Sequence, residues 1–443
     1  MRLQPLPRRV QYSISPFESC PGPWDKYLKG ALHMTRSTRL AVSLTALLFT
    51  GGALAQVPEA QSVASVAATT TTASVAHVYI GTGSHIAAYS AAANGKLTAV
   101  PGSPFNYNVS LQGANGHYLF GFEPSGPVID SFSMAANGAL KKTATLNFLD
   151  SPSGTCGPFV ENGMGLRIDH SGADLYNMVI GTEFPCPSVF QSFKINNANG
   201  KLTSLGYVNG VLDGSADLHI LGNNKFAYAP SCAAAFGNSP FPDVAGFQRA
   251  SNGELVASSA GAALPTPPLD DSDPNNPTPG YYCPSDIATD PTNHAAITLY
   301  ALEDEPGEDG GNVGYGPMVI ATFTADAKGI LTTTNTTENT AKLPWWPNTM
   351  RMSPSGKLLA VGANGVILFH FNGGSPLTKY KTLLSGDSIG QILWDNNNHM
   401  YVTGSDAKGA KLWVYTVTTT SVTLAPGSPY SVSNASGMVV QPL

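Results

Sequence analysis

The stretch NGKLT occurs twice in this chain, at Asn94–Thr98 and again at Asn199–Thr203. An Asn-Gly pair between two β-rich segments is a strong hairpin signal, because a type I′ turn needs positive φ at both central residues. Looser copies of the turn read NGAL, NGEL and KGIL, at Asn137–Leu140, Asn252–Leu255 and Lys328–Leu331. The chain therefore repeats one hairpin signal five times.

Each of these turns follows a short β-rich segment with an aromatic residue six or seven positions before the turn glycine. These aromatics are Tyr89, Phe132, Phe193, Phe247 and Phe323. A second turn lies further upstream in the units, as in ANGHYLF, HSGADLY and SPSGKLLAV, with an apolar strand on either side. Four strands per repeat at a period of roughly 40–75 residues predict β-propeller blades. Seven units begin near His77, Leu111, Gly165, Leu218, Asp286, Met350 and Gln391.

The two ends of the repeated region predict how the fold is completed. The first unit starts at HVYIGTG without an innermost strand, and the chain ends in SGMVVQPL, which resembles an innermost strand with nothing after it. We therefore predict an all-β fold over residues 77–443, a seven-bladed β-propeller of four-stranded antiparallel blades whose first blade is closed by the C-terminal strand. Such closure leaves no open sheet edge. A pair of β-sandwiches is the alternative, although sandwiches do not require this self-similarity.

The first 55 residues are typical of export rather than of a folded domain. From Met34 onward, a basic stretch with Arg36 and Arg39 precedes an apolar run, which ends at the small-residue site Ala53-Leu54-Ala55. This pattern predicts a signal peptide that starts at Met34 and is cleaved after Ala55, with residues 1–33 as an upstream extension. Residues 56–76 are then predicted to form an Ala/Ser/Thr-rich linker, and the protein is expected to be secreted or periplasmic. A cytoplasmic tail before a membrane anchor is the alternative, but the apolar run is short for a membrane span.

The charge of the mature chain limits its partners. Seven of the 23 basic residues and two of the 29 acidic residues precede Gln56, so the mature chain has 16 basic residues, 27 acidic residues and a net charge of −11. Only Arg167, Arg249 and Arg351 remain as arginines. Neither a nucleic acid nor, after signal cleavage, a membrane is expected as a partner. We predict a monomer that binds a small molecule or a protein through one looped face.

Four cysteines remain after the predicted cleavage, an even number that suits an exported chain with two disulfides. All four map to loops on one face of the predicted propeller. We predict the pairs Cys156–Cys186 and Cys232–Cys283, because each pair joins neighbouring loops there. Their spacings fit no compact zinc motif.

Two segments resemble a known family. VYIGTGSHIAAYSAAANGKLTAVPGSPF and MYVTGSDAKGAKLWVYTV look like the blades of the lactonase-type, or YVTN-type, seven-bladed propellers, which include the bacterial 6-phosphogluconolactonases of the cycloisomerase-like group. The resemblance covers most of residues 77–443 and rests on blade motifs, which specify a fold rather than a reaction. It implies a lactonase-like hydrolase.

One position of the predicted innermost strands carries unusual side chains. Arg167 and Arg351 each stand five residues before a turn glycine, and His219 occupies the same aligned position. Two guanidiniums and an imidazole could bind a carboxylate or polarise a lactone carbonyl, so these are the candidate ligand-binding and catalytic residues. The alternative is that each side chain only satisfies backbone carbonyls between blades.

Acidic loops offer a weaker possibility. Carboxylates suit calcium, and the candidates are Asp270, Asp271, Asp273, Glu303 and Asp304. No EF-hand or nonapeptide spacing is present, so solvated loop charge is the preferred interpretation and no metal is expected. No cofactor motif is present, and no cofactor is expected.

Two functions therefore remain open from the sequence. The first is a non-catalytic exported propeller that binds a ligand or protein of unknown specificity, which the missing catalytic motif and the low charge favour. The second is a hydrolase acting on a small lactone or ester. A charged, water-accessible cluster at the central channel would favour the hydrolase, whereas an apolar or filled channel would favour the binding module.

Overall fold

The repeated turns join neighbouring antiparallel strands in every copy, as the hairpin around Gly95 illustrates. The structure is a computed structural model, and it describes residues 73–124, 126–148, 165–179, 189–209, 217–231, 243–258, 260–270, 280–303, 314–433 and 435–443. The predicted extension, signal peptide and most of the predicted linker lie outside these ranges. Within the described ranges the regular elements are all strands, and no helix is long and apolar enough to cross a bilayer.

The described strands pair mainly antiparallel with their neighbours in the chain. Four of the sheets have four strands each, and two are larger: one carries two additional short strands, and in the other two ladders run on without a break. The chain thus has an all-β architecture compatible with a β-propeller. In sheet order, the four-stranded sheets are β29 (Gly437–Pro442), β1 (Ser74–Gly81), β2 (Ile86–Ala92), β3 (Leu97–Ala99); β4 (Ser110–Ala114), β5 (Tyr118–Phe122), β6 (Val128–Met134), β7 (Leu140–Asn147); β8 (Gly165–Ile168), β9 (Asp174–Val179), β10 (Val189–Ile195), β11 (Leu202–Asn209); and β12 (His219–Ile220), β13 (Phe226–Ser231), β14 (Asp243–Arg249), β15 (Leu255–Ala257).

The two larger sheets follow in the chain. The fifth sheet is built on β17 to β20, with β16 parallel to β20 and β21 beside β19. The sixth runs from β22 to β27 and carries β28 on β26. Their bounds are β16 (Gly261–Ala262), β17 (Gly280–Thr289), β18 (His294–Glu303), β19 (Met318–Ala325), β20 (Ile330–Thr332), β21 (Ala341–Leu343), β22 (Thr349–Met352), β23 (Leu358–Asn372), β24 (Ser375–Trp394), β25 (His399–Asp406), β26 (Gly409–Val417), β27 (Val422–Leu424) and β28 (Tyr430–Ser431).

The sixth sheet contains the two units predicted to begin near Met350 and Gln391. The first part of β24 pairs with β23, and its last residues pair with β25. Between these parts the backbone has positive φ at Leu384 (50°) and Gly386 (91°), which marks a change of direction within one continuous strand. Two repeats therefore share a ladder because the chain passes from one to the other without a loop.

The turn type differs from the prediction. Among the described residues, positive φ outside glycine is limited to Asn224, Leu384 and Asn398, so Asn94 does not adopt the backbone that a type I′ turn requires. Instead, the Gly95 N–H donates to Ala92 O (2.8 Å) and the Ala92 N–H donates to Lys96 O (2.9 Å). Three residues separate the closing pair, and only Gly95 (φ 78°) is left-handed. This is a three-residue hairpin loop built around a type I turn, and not the two-residue loop of a type I′ turn. The prediction of type I′ was therefore wrong.

The asparagine has a different role in this loop. Asn94 Oδ1 accepts a hydrogen bond from the Lys96 N–H (3.1 Å), and Asn252 Oδ1 accepts one from the Glu254 N–H (3.0 Å). A side-chain acceptor two residues before a backbone donor stabilises the turn locally. The Asn-Gly pair is therefore selected by an asparagine acceptor and a left-handed glycine, and not by two left-handed residues.

The turn glycines also connect neighbouring sheets. The fully buried Tyr79, Tyr176 and Tyr228 each donate a hydroxyl hydrogen bond to the carbonyl of the turn glycine in the next sheet. Their acceptors and distances are Gly138 O (3.0 Å), Gly253 O (2.7 Å) and Gly329 O (2.6 Å). A buried tyrosine hydroxyl needs a partner, and a hairpin carbonyl at this position supplies it. The repetition of the turn thus serves the packing of one sheet on the next.

The apolar core lies between the sheets. The second sheet packs on the third through side chains such as Phe120 and Phe193, and the third packs on the fourth through Phe190 and Phe247, whose ring centroids are 5.0 Å apart. The end of the sixth sheet packs on the first, since Tyr401, Leu412 and Val414 share a cluster with Ala76, Val78 and Ile80. In addition, β29 pairs with β1 over six residues, from Ala76 opposite Pro442 to Gly81 opposite Gly437.

Candidate functional site

A cavity of about 710 Å³ lies where the first strands of the sheets meet. Its wall includes residues of β4, β8, β12, β17, β22, the end of β24, and β29, which we call the lining strands. Contacts run from β29 to β4, from β4 to β8, from β12 to β17, from β17 to β22, from β22 to β24 and from β24 back to β29. Side chains on one face of these strands therefore share a single space, although they are distant in sequence.

The three candidate residues from the sequence all line this cavity. Arg167 is on β8, His219 on β12 and Arg351 on β22. The two arginines make the same local contact, because Arg167 Nη1 donates to Leu166 O (3.1 Å) and Arg351 Nη1 donates to Met350 O (2.8 Å). Each guanidinium is thus anchored on its own strand, and its other N–H groups remain available to a second partner.

Two carboxylates accompany the candidates. Asp217 accepts a charge-assisted hydrogen bond from Arg167 Nη2, and its other oxygen accepts the Leu218 N–H at 2.8 Å. Asp286 Oδ1 accepts the Ile287 N–H at 2.7 Å and lies 3.2 Å from His219 Nε2. The His219–Asp286 contact is short, but its atoms are not aligned as a well-formed hydrogen bond. The described cluster therefore brings two guanidiniums, two carboxylates and one imidazole to one space.

The members differ in their access to the cavity. The side chain of His219 is 8% exposed, whereas those of Asp286 and Arg167 are 19% and 24% exposed. His219 Nε2 is fully buried and faces Asp286, with Asp217 Oδ2 at 3.7 Å. His219 therefore lies behind the carboxylates, which are the groups that a molecule in the cavity would meet.

Burial and neighbouring charge set the protonation states. Burial lowers the pKa of His219, and the charges of Arg167 and Arg351 act in the same direction against the contribution of Asp286, so the imidazole is neutral at neutral pH. Burial acts to raise the pKa of Asp286, but the close contact with His219 and the charge of Arg351 lower it overall, so the carboxylate is ionised. Burial, with the charge of Arg351, lowers the pKa of Arg167 to about 9, which leaves its guanidinium cationic at neutral pH.

Arg351 differs from Arg167 in its partners. Among the described residues, no carboxylate oxygen lies within 4.0 Å of the Arg351 guanidinium, whereas Arg167 is paired with Asp217. The charge of Arg351 nevertheless acts on the pKa of both His219 and Asp286. Arg351 is therefore the guanidinium of the cavity wall with more N–H groups available to bind an anion or a carbonyl oxygen of a ligand.

The third arginine lies elsewhere. Arg249 Nε donates to the Tyr176 hydroxyl (2.6 Å), and its Nη2 lies 3.1 Å from Asp169 Oδ2 and 2.7 Å from Asp174 Oδ2. All of these groups are largely buried between the third and fourth sheets. Arg249 therefore joins two sheets and takes no part in the cavity.

Sequence reasoning missed Asp217, Asp286 and Trp346. The aspartates stand two residues before His219 and Ala288, so the period-2 alternation of a strand returns them to the face of the aligned position. A comparison, across the units, of the residue two positions before the aligned position would have identified both. Trp346 lies in the segment Trp345–Asn348 just before β22, and it lines the cavity while remaining half exposed.

The other predicted site residues stay largely outside the described structure. Cys283 is disulfide-bonded, but Cys156, Cys186 and Cys232 lie outside the described ranges, so the predicted pairing stays a prediction. Of the weak calcium candidates, Asp270 is buried and has a partner, the side chain of Glu303 is not described, and Asp271, Asp273 and Asp304 lie outside. Within the described ranges, no three His, Cys, Asp or Glu residues form a group that could hold a metal ion.

Comparison with solved structures assigns the fold. The periplasmic gluconolactonase of Pseudomonas aeruginosa is 15% identical, with a TM-score of 0.55 over 83% of this chain and 99% of that one. A candidate 6-phosphogluconolactonase from Bacteroides fragilis is 16% identical, with a TM-score of 0.52 over 84% of this chain and 99% of that one. A protein of unknown function from Desulfotomaculum acetoxidans is 13% identical, with a TM-score of 0.52 over 83% of this chain and 99% of that one. No protein-family model and no curated protein matches the chain. The chain has the fold of the lactonase-like β-propellers.

Proposed function

We propose that the chain is a hydrolase of a small lactone or ester and that the cavity between the lining strands is its active site. The observation that carries this proposal is the pair of oppositely charged, accessible groups on neighbouring strands, the guanidinium of Arg351 and the carboxylate of Asp286. A charged, water-accessible cluster favours hydrolysis over the alternative of a filled or apolar channel, and the fold is that of lactonase-like propellers.

Each group has a role in the proposed reaction. Arg351 donates hydrogen bonds to the carbonyl oxygen of the substrate and stabilises the oxyanion that forms on it. The ionised Asp286 accepts a proton from a water molecule as the water oxygen attacks the carbonyl carbon. The bond from that carbon to the ring oxygen then breaks, and Asp286 returns the proton to the leaving oxygen. The product is a hydroxy acid.

His219 and Arg167 act as positioning residues in this scheme. The neutral His219 is buried beside Asp286, and its Nε2 lies 3.2 Å from Oδ1, so the imidazole limits the positions that the carboxylate can take. Arg167 holds Asp217 through a charge-assisted hydrogen bond. Both therefore shape the wall in which Arg351 and Asp286 are presented.

The test is a panel of lactones and esters, assayed by release of acid with the wild type, Arg351→Ala and Asp286→Asn. We expect kcat for the best substrate to fall by about a hundredfold or more in each variant, while the melting temperature changes little. Lys408→Ala, an exposed lysine at a hairpin tip, is the control that should keep full activity. A panel without any hydrolysis by the wild type would overturn the proposal.

Binding without turnover is the second candidate, and the absence of a carboxylate partner for Arg351 within the described ranges favours it. A guanidinium binds a carboxylate strongly and with defined geometry. Titration calorimetry with small carboxylic acids would then detect binding that Arg351→Ala removes, whereas the hydrolysis panel would stay negative.

The proposal includes seven blades and closure by the C-terminal strand. It is supported by seven lining strands around one cavity, by the pairing of β29 with β1 and by the contact of the sixth sheet with the first. Deletion of Gly437–Leu443 should prevent stable folding, while deletion of Leu443 alone, which is 61% exposed, should have little effect. An unchanged melting temperature in the longer deletion would contradict closure.

Export to the periplasm or the medium completes the proposal. It is supported by the signal-peptide pattern that ends at Ala55 and by the periplasmic gluconolactonase of similar fold. Mass spectrometry of the mature N-terminus tests it, and a chain that begins before Gln56 in the exported fraction would contradict the cleavage site.

A further inference from the structure

The charge of the cavity wall restricts what can bind. Its guanidiniums are those of Arg167 and Arg351, its described lining residues include no lysine, and Asp217 and Asp286 contribute two carboxylates. A second imidazole, that of His170, also lines it, with Nε2 3.1 Å from Ile220 O. With the imidazole of His219 neutral, the two guanidiniums and the two carboxylates balance to zero. Since Asp217 already pairs with Arg167, Arg351 is the remaining guanidinium opposite the carboxylate of Asp286.

The segments outside the described ranges cannot add positive charge to the cavity wall. Between residues 73 and 443, none of them contains Lys, Arg or His, whereas several contain Asp or Glu. Every basic side chain in that part of the chain is therefore described. A phosphomonoester carries a charge of about −1.5 to −2 at neutral pH and is bound by clusters of cationic groups, which this wall does not offer.

The rim of the cavity carries an aromatic platform. Trp346 lines the cavity and is 50% exposed, an exposure that only Tyr207 (46%) approaches among the phenylalanine, tyrosine and tryptophan side chains that the structure describes. Tyr300 holds it from the side, with ring centroids 5.2 Å apart and an interplanar angle of 63°. An edge-to-face contact of this kind fixes an indole ring while leaving a face free for a flat or ring-shaped ligand.

The polar groups of the wall suit hydroxyl groups. Gln391 Oε1 accepts the Met438 N–H (2.7 Å), and Asn348 Nδ2 donates to Ile389 O (3.0 Å). One polar atom of each side-chain amide is thus held by the backbone. The other, Gln391 Nε2 or Asn348 Oδ1, belongs to a residue that lines the cavity and can hydrogen-bond a ligand. Amides fixed in this way recognise neutral hydroxyls without adding charge.

From these observations we infer that the cavity selects an unphosphorylated, hydroxylated ring substrate whose face stacks on Trp346, and that it discriminates against the phosphorylated form of the same ring. This inference rests on the proposed hydrolase function. Trp346 is a specificity-determining residue here, and Asp217 and Asp286 are the groups that disfavour a dianion.

The experiment compares gluconolactone with 6-phosphogluconolactone, a pair that differs only by the phosphate. We expect kcat/KM to be lower for the phosphorylated lactone by about a hundredfold or more, because like charges placed together cost several kcal/mol. In Trp346→Ala, KM for gluconolactone should rise roughly tenfold with little change in kcat, whereas Trp346→Phe should keep most of the affinity.

The outcomes separate this inference from the proposed function. Equal or faster hydrolysis of 6-phosphogluconolactone would overturn the inference and leave the hydrolase intact. An unchanged KM in Trp346→Ala, with the variant folded by circular dichroism, would also overturn it. Failure of the wild type to hydrolyse any lactone or ester would instead overturn the proposed function.

Discussion

The hydroxyl of Tyr228 donates a hydrogen bond of 2.6 Å to the carbonyl oxygen of Gly329 in the next sheet. Both groups are buried, so neither can exchange its partner for water. Tyr79 and Gly138, and Tyr176 and Gly253, repeat this relationship between other pairs of sheets. The bond links the second strand of one sheet to the hairpin of its neighbour.

Replacement of Tyr228 by Phe should therefore destabilise the protein. It removes the donor and leaves the carbonyl of Gly329 buried without it, which costs about 1–3 kcal/mol in the free energy of unfolding. Urea unfolding measures the change. Tyr207→Phe, at a side chain that is 46% exposed, is the matched control and should change the free energy of unfolding by less than about 0.5 kcal/mol. Equal effects in the two variants would argue against the inter-sheet bond.

Substitutions at two turn glycines distinguish the cost of a left-handed backbone from the cost of a steric clash. An added Cβ at Gly253 (φ 97°) would lie 2.3 Å from Asp174 Oδ2, whereas one at Gly83 (φ 79°) would meet nothing within 4 Å. Gly83→Ala should therefore cost about 1–2 kcal/mol of stability from the left-handed backbone alone. Gly253→Ala should cost about 3 kcal/mol or more, because it also displaces Asp174 from its buried pair with Arg249. Similar melting temperatures for the two variants would contradict this difference.

The buried Asp395 should make the protein sensitive to acid. Its carboxylate accepts hydrogen bonds from His399 Nδ1 (2.7 Å) and the Tyr401 hydroxyl (2.9 Å). Burial acts to raise the pKa of Asp395, but these bonds and the charge of His399 lower it overall. A folded pKa below the unfolded value of about 3.9 means that Asp395 stabilises the fold above that pH and that this contribution is lost as the pH falls through the folded pKa.

Urea unfolding at two pH values tests this sign. Asp395→Asn should lower the free energy of unfolding by about 1–3 kcal/mol at neutral pH, and the difference from the wild type should shrink in acid below the unfolded pKa. Asp387→Asn, at a half-exposed carboxylate, should show little difference at either pH. A gap between wild type and Asp395→Asn that widens in acid would show that the sign is wrong.

The disulfide of Cys283 can be mapped directly. Cys283 is buried and disulfide-bonded, and we predict Cys232 as its partner. Peptide mapping under non-reducing conditions should find that pair, and Cys283→Ser should cost about 2–4 kcal/mol of stability. A bond from Cys283 to Cys156 or Cys186 would refute the assignment.

The hairpins could be predicted because their signals are local. A turn glycine, in four copies preceded by asparagine, and an aromatic six or seven residues before it predict a turn between two strands, and the structure confirms hairpins at all five copies. The type of turn could not be predicted in this way. An asparagine before glycine is compatible with two left-handed residues and also with a side-chain acceptor, and only the backbone distinguishes them.

The candidate site was partly accessible from the sequence for a related reason. Arg167, His219 and Arg351 share one aligned position, and first strands that lie side by side bring such positions to one space. Asp217 and Asp286 were missed because only one position of each first strand was compared across the units. Every second residue of a strand lies on the same face, so the position two residues earlier also faces the cavity. The paired state of Arg167 and the burial of His219 depend on contacts between sheets, so no local pattern contains them.

The cavity has an architectural consequence for folding. Arg167, Asp286 and Arg351 come from the third, fifth and sixth sheets, and no single sheet carries a complete set of the charged groups. Under the proposed function, a fragment or an intermediate in which one of these sheets is detached should therefore have no partial activity. Loss of the proposed hydrolysis in denaturant should coincide with the cooperative loss of the whole β-structure, so that an activity assay would report global assembly.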